Sequence, residues 1–426
     1  TGDSNVAVGR SALANNTTAN NNTAIGYAAL SANTTGAQNV AIGPETLDAN
    51  TTGQDNLGIG FRSLTKNTTA DYNIAIGGGA MHENQTGENN VAIGRAALYN
   101  NNNGSNTAVG SLSLYLNTSG YENTAVGRSS LQNNTTGNSV TAVGKNALAN
   151  NTTASNNTAV GKDALASNTT GSENTAVGKD ALKVNTTAAN NTAIGYNAAD
   201  AVTTGTQNTA VGSIALSSAT TGSYNTGVGF RSLLNVTDSD YNTAFGYETV
   251  RNTTTGGKNV GIGAFALFEN TTASDNVGVG YEALRNNTTG TKNVAVGMRT
   301  LKTNTTADNN TALGHKALEL NTSGAYNSGV GTFSLTANTT GQQNTGTGYF
   351  TLGANTTGDY NTAMGVNALG ANTTANSNTA VGWNSLSANT TGTSNVAVGS
   401  RALYLHVSGN SNTAVGTNAL DASTSA

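Results

Sequence analysis

The chain has no cysteine, one proline (Pro44) and few charged or aromatic residues, 9% and 5% of its 426 positions. Without cysteine there is neither a disulfide framework nor a thiolate metal site. A net charge of −4 and the lack of a Lys/Arg stripe remove the electrostatic footprint of a nucleic-acid binder. No apolar run approaches the ~18 residues that cross a bilayer as a helix, and no segment has the make-up of a signal peptide. Thr1 stands first rather than Met, so processing or truncation upstream is expected. Low charge together with low hydrophobicity ordinarily marks disorder. An ordered chain of this composition must take its order from repetition or association.

What is abundant is glycine, 53 residues, and one set of glycines is periodic. Gly9, Gly26, Gly43, Gly60, Gly77 and Gly94 are each 17 residues apart. One step of 16 leads to Gly110, and steps of 17 then run unbroken to Gly416. The chain is therefore 25 repeats of N-T-A-V-G-x-x-A-L-x-x-N-T-T-G-x-x with one deletion, expected in the turn near Gly104–Ser105.

Each column can be numbered from that glycine as position 0. Position −1 is Val or Ile in all repeats but four, and −3 is mostly Thr or Val. Branched residues of this kind suit a pleated strand. Position −2 is always Ala or Gly. Strand alternation puts −3 and −1 on one face and −4, −2 and 0 on the other, where other backbone can approach closely. A second short strand is expected around the small residue at +3 and the Leu at +4, followed by the N-T-T-G turn. A helix is excluded, because Asn, Thr and Gly are poor helix formers and the apolar columns lack a 3.6-residue spacing.

These features predict an all-β chain, a parallel β-solenoid (β-roll) running as one continuous array through residues 1–426. Coils ~4.8 Å apart would make a rod on the order of 120 Å. The expected core is thin, with large aliphatics only at −1 and +4. That favours chains sharing it, as a homotrimer or another filament-forming assembly. The array opens and closes inside the repeat without distinct caps, which leads one to expect a window of a longer array or end-to-end joining.

The string S-N-V-A-V-G at Ser4–Gly9 and its echo N-T-A-I-G at Asn22–Gly26 resemble the head repeats of trimeric autotransporter adhesins. The whole array also resembles the N-T-A-V-G and N-T-T-G arrays of phage tail-fibre-like proteins. The resemblance implies three chains wound about one axis as parallel β-rolls. It also implies an extracellular, cell-surface or virion location. The adhesin repeat is shorter than 17 residues, and the extra residues here surround N-T-T-G. No coiled-coil stalk, membrane anchor or self-cleaving chaperone domain lies within these residues.

Residues that carry chemistry are scarce. His82, His315 and His406 fall in three different columns and read as exposed loop histidines. The acidic residues form no recurring pair, and no calcium-binding Asp repeats. No catalytic site, cofactor or metal is expected. Strings such as Gly58–Gly60 recur in every coil without a Lys and read as structural rather than phosphate-binding. Trp383 shares column +1 with Tyr27, Phe61, Tyr196, Phe230 and Tyr281, an exposed aromatic row that could touch sugars.

One pattern exceeds this background. N-x-T/S sequons recur at Asn16, Asn33, Asn50, Asn67, Asn84, Asn117, Asn134, Asn151, Asn168 and Asn185. They recur again at Asn270, Asn287, Asn304, Asn321, Asn338, Asn355, Asn372 and Asn389, with Asn235 and Asn252 one column early. Two readings stand open: acceptors for N-linked glycans on an exposed turn, or an Asn ladder satisfying turn backbone. Asn at −4 in every repeat but the one holding Val140 shows that such ladders are available to this chain.

The leading functional expectation is a structural extracellular fibre shaft that associates with itself, with glycan decoration as an option. The alternative is an adhesin head or tail-fibre module that binds a host receptor or glycan. An ice-binding solenoid ranks behind both, because Val often replaces Thr at −3.

Overall fold

The computed structural model describes residues 2–425. It holds 25 three-residue strands, one per repeat, numbered here in chain order from β1 (Val6–Val8) to β25 (Thr413–Val415). Two compact units divide the chain. The first, Thr1–Val211, carries thirteen strands ending with β13 (Thr209–Val211), and the second, Gly212–Ala426, carries twelve beginning with β14 (Thr226–Val228). Within each unit every strand pairs in parallel with the strand of the next repeat, column on column, as Thr23, Ala24 and Ile25 face Val40, Ala41 and Ile42. One repeat is one coil, and the fold is a parallel β-solenoid. No helix among the described residues is long and apolar enough to cross a membrane.

The glycine at 0 ends each strand in a conformation other residues avoid. At Gly26 φ is +138°, and a Cβ there would stand 2.5 Å from the Gly43 carbonyl oxygen. The backbone of the next coil occupies the space a side chain needs, so the column admits only glycine.

The segment around +4 departs from expectation. It is a run of turns, not a second strand, because residues +2 and +4 are left-handed: Ala28 has φ 55° and Leu30 φ 50°. Alternating left-handed residues aim successive N–H groups in opposite axial directions. Ala28 N–H donates back to the Arg10 carbonyl (2.9 Å), while Leu30 and Ala32 donate forward to Thr46 and Asp48 (both 3.0 Å). A left-handed Leu is sterically costly. Here it turns the side chain inward, where Leu30 is fully buried, and the packing holds the strained backbone.

The core also differs from the expected one. Its members are Ala at −2, the small residue at +3, Leu at +4, Asn at −4 and +7, and Gly or Ala at +10, all closed within one chain. The −1 aliphatics are outside it: Ile25 and Ile194 are exposed, and the −3 residue beside each is half-buried. The inward face of the strand holds only Ala or Gly because the +3 and +4 side chains of the preceding coil press against it. Sharing a core between chains is thus unnecessary for closure.

The short coil keeps its register. Strand β6 (Val91–Ile93) pairs with β7 (Thr107–Val109), and β7 with β8 (Thr124–Val126), so Val109 faces both Ile93 and Val126. The shortening lies slightly upstream of the expected place. Ser105 keeps the left-handed φ of its column (62°) and the hydrogen bond of its column, to Glu88 (3.0 Å). It is the Asn101 amide that reaches a carbonyl two residues on, at Asn103 (2.6 Å), instead of three. The missing residue falls in the turn between Asn101 and Asn103, where a strand slip of one residue cannot follow from it.

Packing against the strand yields a test at position −2. A Cβ at Gly261 would meet Val250 Cγ2 at 2.5 Å and Thr249 Cγ2 at 2.7 Å, whereas at Gly278 the nearest atoms are 3.3 Å away. Gly261→Ala should therefore destabilise by about 1–3 kcal/mol although Ala is the commoner residue of the column. Gly278→Ala should be neutral or mildly stabilising. Urea unfolding of the two variants checks the difference, and equal midpoints would contradict the packing described.

Candidate functional site

Two rows of asparagine run inside each unit. In the −4 row, Asn39 N–H donates to Asn22 Oδ1 of the preceding coil (2.9 Å) and Asn39 Nδ2 to the Gly53 carbonyl (2.8 Å). In the +7 row, Asn50 Nδ2 donates to Asn33 Oδ1 (2.9 Å) and to the same Gly53 carbonyl (2.9 Å). Both rows thus converge on one carbonyl per coil and tie the start of the coil to its end. The first Thr of the turn adds a bond outside them, as Thr34 Oγ1 donates to the Thr51 carbonyl of the next coil (3.0 Å).

The sequon asparagines sit in the +7 row. From Asn33 to Asn185 and from Asn270 to Asn389 they are fully buried. A glycan is carried on Nδ2, and in these residues Nδ2 donates to a carbonyl within its own turn and, in most coils, also to the preceding rung. The exposed-turn placement expected for glycan acceptors is corrected on this point, and the ladder accounts for the recurring Asn. Three sequons differ. Asn16 is half-buried in the first coil. Asn235 and Asn252, one column early, are half-buried and bond Asn252 Oδ1 (3.0 Å) and Glu269 Oε2 (2.9 Å). Asn101, which no sequon marks, is a full member of the row.

Where the row stops, it leaves an open end. Val202 follows Asn185 and His406 follows Asn389, and in both places the last Asn Oδ1 is buried without a partner. His406 is not the exposed loop histidine expected: it is fully buried in the asparagine column, with Nε2 2.9 Å from the Gly409 carbonyl. In the second unit Ala219, Val236 and Thr253 also replace Asn, and Asn270 bonds Thr253 Oγ1 (3.1 Å) instead.

The outward surface carries three kinds of row. The −3 and −1 columns form a ladder of Thr, Val and Ile; in the second unit Phe245 (42% exposed), Leu313 and Met364 replace Val or Ile at −1 and are also exposed. Column +1 carries the expected aromatics, and Tyr27, Phe61, Tyr196, Phe230, Tyr281 and Trp383 are all exposed. Some rings stack between coils, such as Tyr224 on Tyr241 (4.8 Å, 5°) and His82 on Tyr99 (4.9 Å, 2°). Charged residues are commonest at +2 and +5. The hydrogen bond from Lys66 holds the Glu83 carboxyl below its usual range, and burial pushes Asp48 up, with Glu45 adding to it. His315 is half-buried and packs edge-on against Phe333.

The described surface has hollows along its turns. One of about 340 Å³ lies beside the shortened turn between Thr86 and Ser105, one of about 420 Å³ between Asp238 and Asp275, and one of about 390 Å³ between Phe61 and Tyr99. None is lined by a His together with a Ser or Thr. No three His, Asp or Glu among the described residues stand close enough to hold a metal ion. No protein-family model and no curated protein matches the chain.

The +7 row can be broken at one rung. Asn134 Nδ2 donates to Asn117 Oδ1 (2.9 Å) and Gly137 O (3.0 Å), and its own Oδ1 accepts from Asn151 (2.9 Å). Asn134→Val removes all three bonds and strands Asn117 Oδ1 in the interior, so a loss of about 2–4 kcal/mol is expected. The exposed Lys145→Ala should change stability by less than about 0.5 kcal/mol. Urea titration of both variants measures the contrast.

The same burial predicts where glycans are found. When the chain is made in a glycosylating host, peptide mapping should leave the fully buried sequons of the +7 row bare, whereas Asn16, Asn235 and Asn252 stay open to a glycan. Occupancy at Asn134 or Asn338 in folded protein would show that the ladder is not the folded arrangement.

Proposed function

We propose that the chain is a structural element of an extracellular fibre or filament, built by copies of itself that bury their −3 and −1 columns against one another. The observation that carries this reading is the outward strand face. In each unit it is a regular, uncharged ladder of Thr, Val and Ile held in register, and its −1 aliphatics are exposed or half-buried, with none fully buried. Soluble monomers rarely leave an extended apolar patch of this kind open. A second copy carries the same spacing of rows, so its side chains match at every coil without a special design. The reading assigns no catalysis and no cofactor.

A binding module, an adhesin head or tail-fibre segment that meets a host receptor or glycan, is the second reading, favoured by the exposed aromatics of column +1. Ice binding ranks third. It draws on the same outward Thr and Val rows, and thermal hysteresis of the purified chain would favour it over self-association.

The test places charges on the ladder. Ile25 and Ile42 are exposed neighbours in adjacent coils, so Ile25→Glu with Ile42→Lys pairs opposite charges along the face and spares the coil itself. Native mass measurement should show a multimer for the parent chain and a shift toward monomer for the variant, with unchanged circular dichroism. A folded parent chain that stays monomeric at micromolar concentration would refute the reading.

A further inference from the structure

The third hollow is a gap in an otherwise filled surface row. In the coils on either side column +1 holds Phe61 and Arg95, but the coil between them has Gly78 and Gly79 at +1 and +2. The resulting notch, about 390 Å³, is walled by Phe61 and Arg62 on one side and Arg95 on the other. That volume lies at the lower end of the range for small-molecule sites, about 300–1,000 Å³. His82 and Tyr99 line its flank as a parallel stack with ring centres 4.9 Å apart, and Tyr115 lies tilted by 33° against Tyr99 at 5.3 Å. Tyr99 borders the gap directly: a Cβ on Gly79 would stand 3.4 Å from its ring.

The charges in the notch do not cancel. Arg62 Nε is bound to Glu45 (2.5 Å), and Glu83 takes both Lys66 (2.5 Å) and His82 (2.8 Å). Arg95 is exposed and has no ion pair among the described residues. Tyr99 is covered on both sides. Phe61 is the exposed ring of the notch (55%), with the Arg62 guanidinium 5.0 Å from its centre. A ligand that fits here therefore has an apolar ring face to lie against Phe61 and one carboxylate to meet the Arg95 guanidinium in a bidentate pair. A pyranose ring supplies the first feature through its axial C–H groups. We propose that the Gly78–Gly79 notch binds one acidic sugar residue, a uronate of a polysaccharide. The site uses columns +1, +2 and +5, apart from the −3 and −1 ladder, so it stands or falls separately from self-association.

The test uses the full chain with tetragalacturonate as probe and maltotetraose as its uncharged counterpart, followed by saturation-transfer NMR and calorimetry. Gly78→Tyr closes the notch with a residue the column accepts elsewhere (Tyr27, Tyr196). Gly78 has no left-handed φ, and a Cβ there meets nothing nearer than the Phe61 carbonyl at 3.8 Å. Arg95→Gln removes the free charge at an exposed position. The expected result is binding of tetragalacturonate that weakens at least about ten-fold in Gly78→Tyr, and a loss of preference over maltotetraose in Arg95→Gln. The inference is overturned if neither variant changes binding, if maltotetraose binds the parent chain equally well, or if inorganic sulfate displaces the probe as effectively as galacturonate. Absence of binding up to about 10 mM, a contribution under roughly 3 kcal/mol, overturns it as well.

Discussion

The structure depends on one carbonyl per coil. A chain this poor in large apolar residues cannot close a coil by burial alone, since each coil contributes little beyond one Leu and two or three small residues. What closes it is the +10 carbonyl, which accepts from the Asn at −4 and the Asn at +7 of the same coil. Each of those asparagines is in turn bound to its equivalent one coil away. A buried amide has two donors and an acceptor to satisfy, and a stack of identical amides satisfies them reciprocally. Burying so many polar groups is tolerated only because successive coils along a run of the ladder present the same group at the same height. Repetition is therefore the condition of stability here, and a single coil of this sequence has no partner for its amides.

That constraint decides which columns are free to vary. The glycine at 0 and the small residue at −2 face backbone and are locked, and the asparagines at −4 and +7 face each other and vary at few coils. Where the +7 row changes to Val202 or His406, the preceding amide oxygen is left unpaired in the interior, so the ladder tolerates an end but not at no cost. Columns +1, +2 and +5 face outward and hold more than half of the aromatic and charged residues. Chemistry in such a chain is written as differences between coils on a frame that does not differ.

The fold was largely legible in the sequence because the columns are spaced by an integer period and the strand columns show two-residue alternation. Thr, Ala and Val at −3, −2 and −1 read as a strand, and 25 strands are found there. Two things were not legible. The left-handed conformation at Leu30 and its equivalents has no residue signature, because glycine is the usual marker for positive φ and Leu is the reverse. Which strand face is inward was also ambiguous: a branched face suits a core as well as a surface, and only the glycine and alanine of the other face, which leave room for the +3 and +4 side chains, break the tie. The sequons misled for a related reason. Asn and Thr in a turn make the acceptor pattern by composition, and the pattern does not say whether the amide points to water or to the next amide.

The outward ladder follows from the same tie. A strand whose inner face must be Ala or Gly has only its outer face left for the branched residues that hold it extended. Thr and Val are thus required at −3 and −1 by backbone geometry whether or not a partner covers them. Thr alone would meet that requirement and leave the surface wet. The chain instead places Val, Ile, Leu, Met or Phe at −1 in every coil except the one with Thr347, a preference that the strand's own geometry does not demand. An apolar choice sustained at an outward column supports the proposed self-association, in which another copy of the chain would bring matching rows at the same spacing.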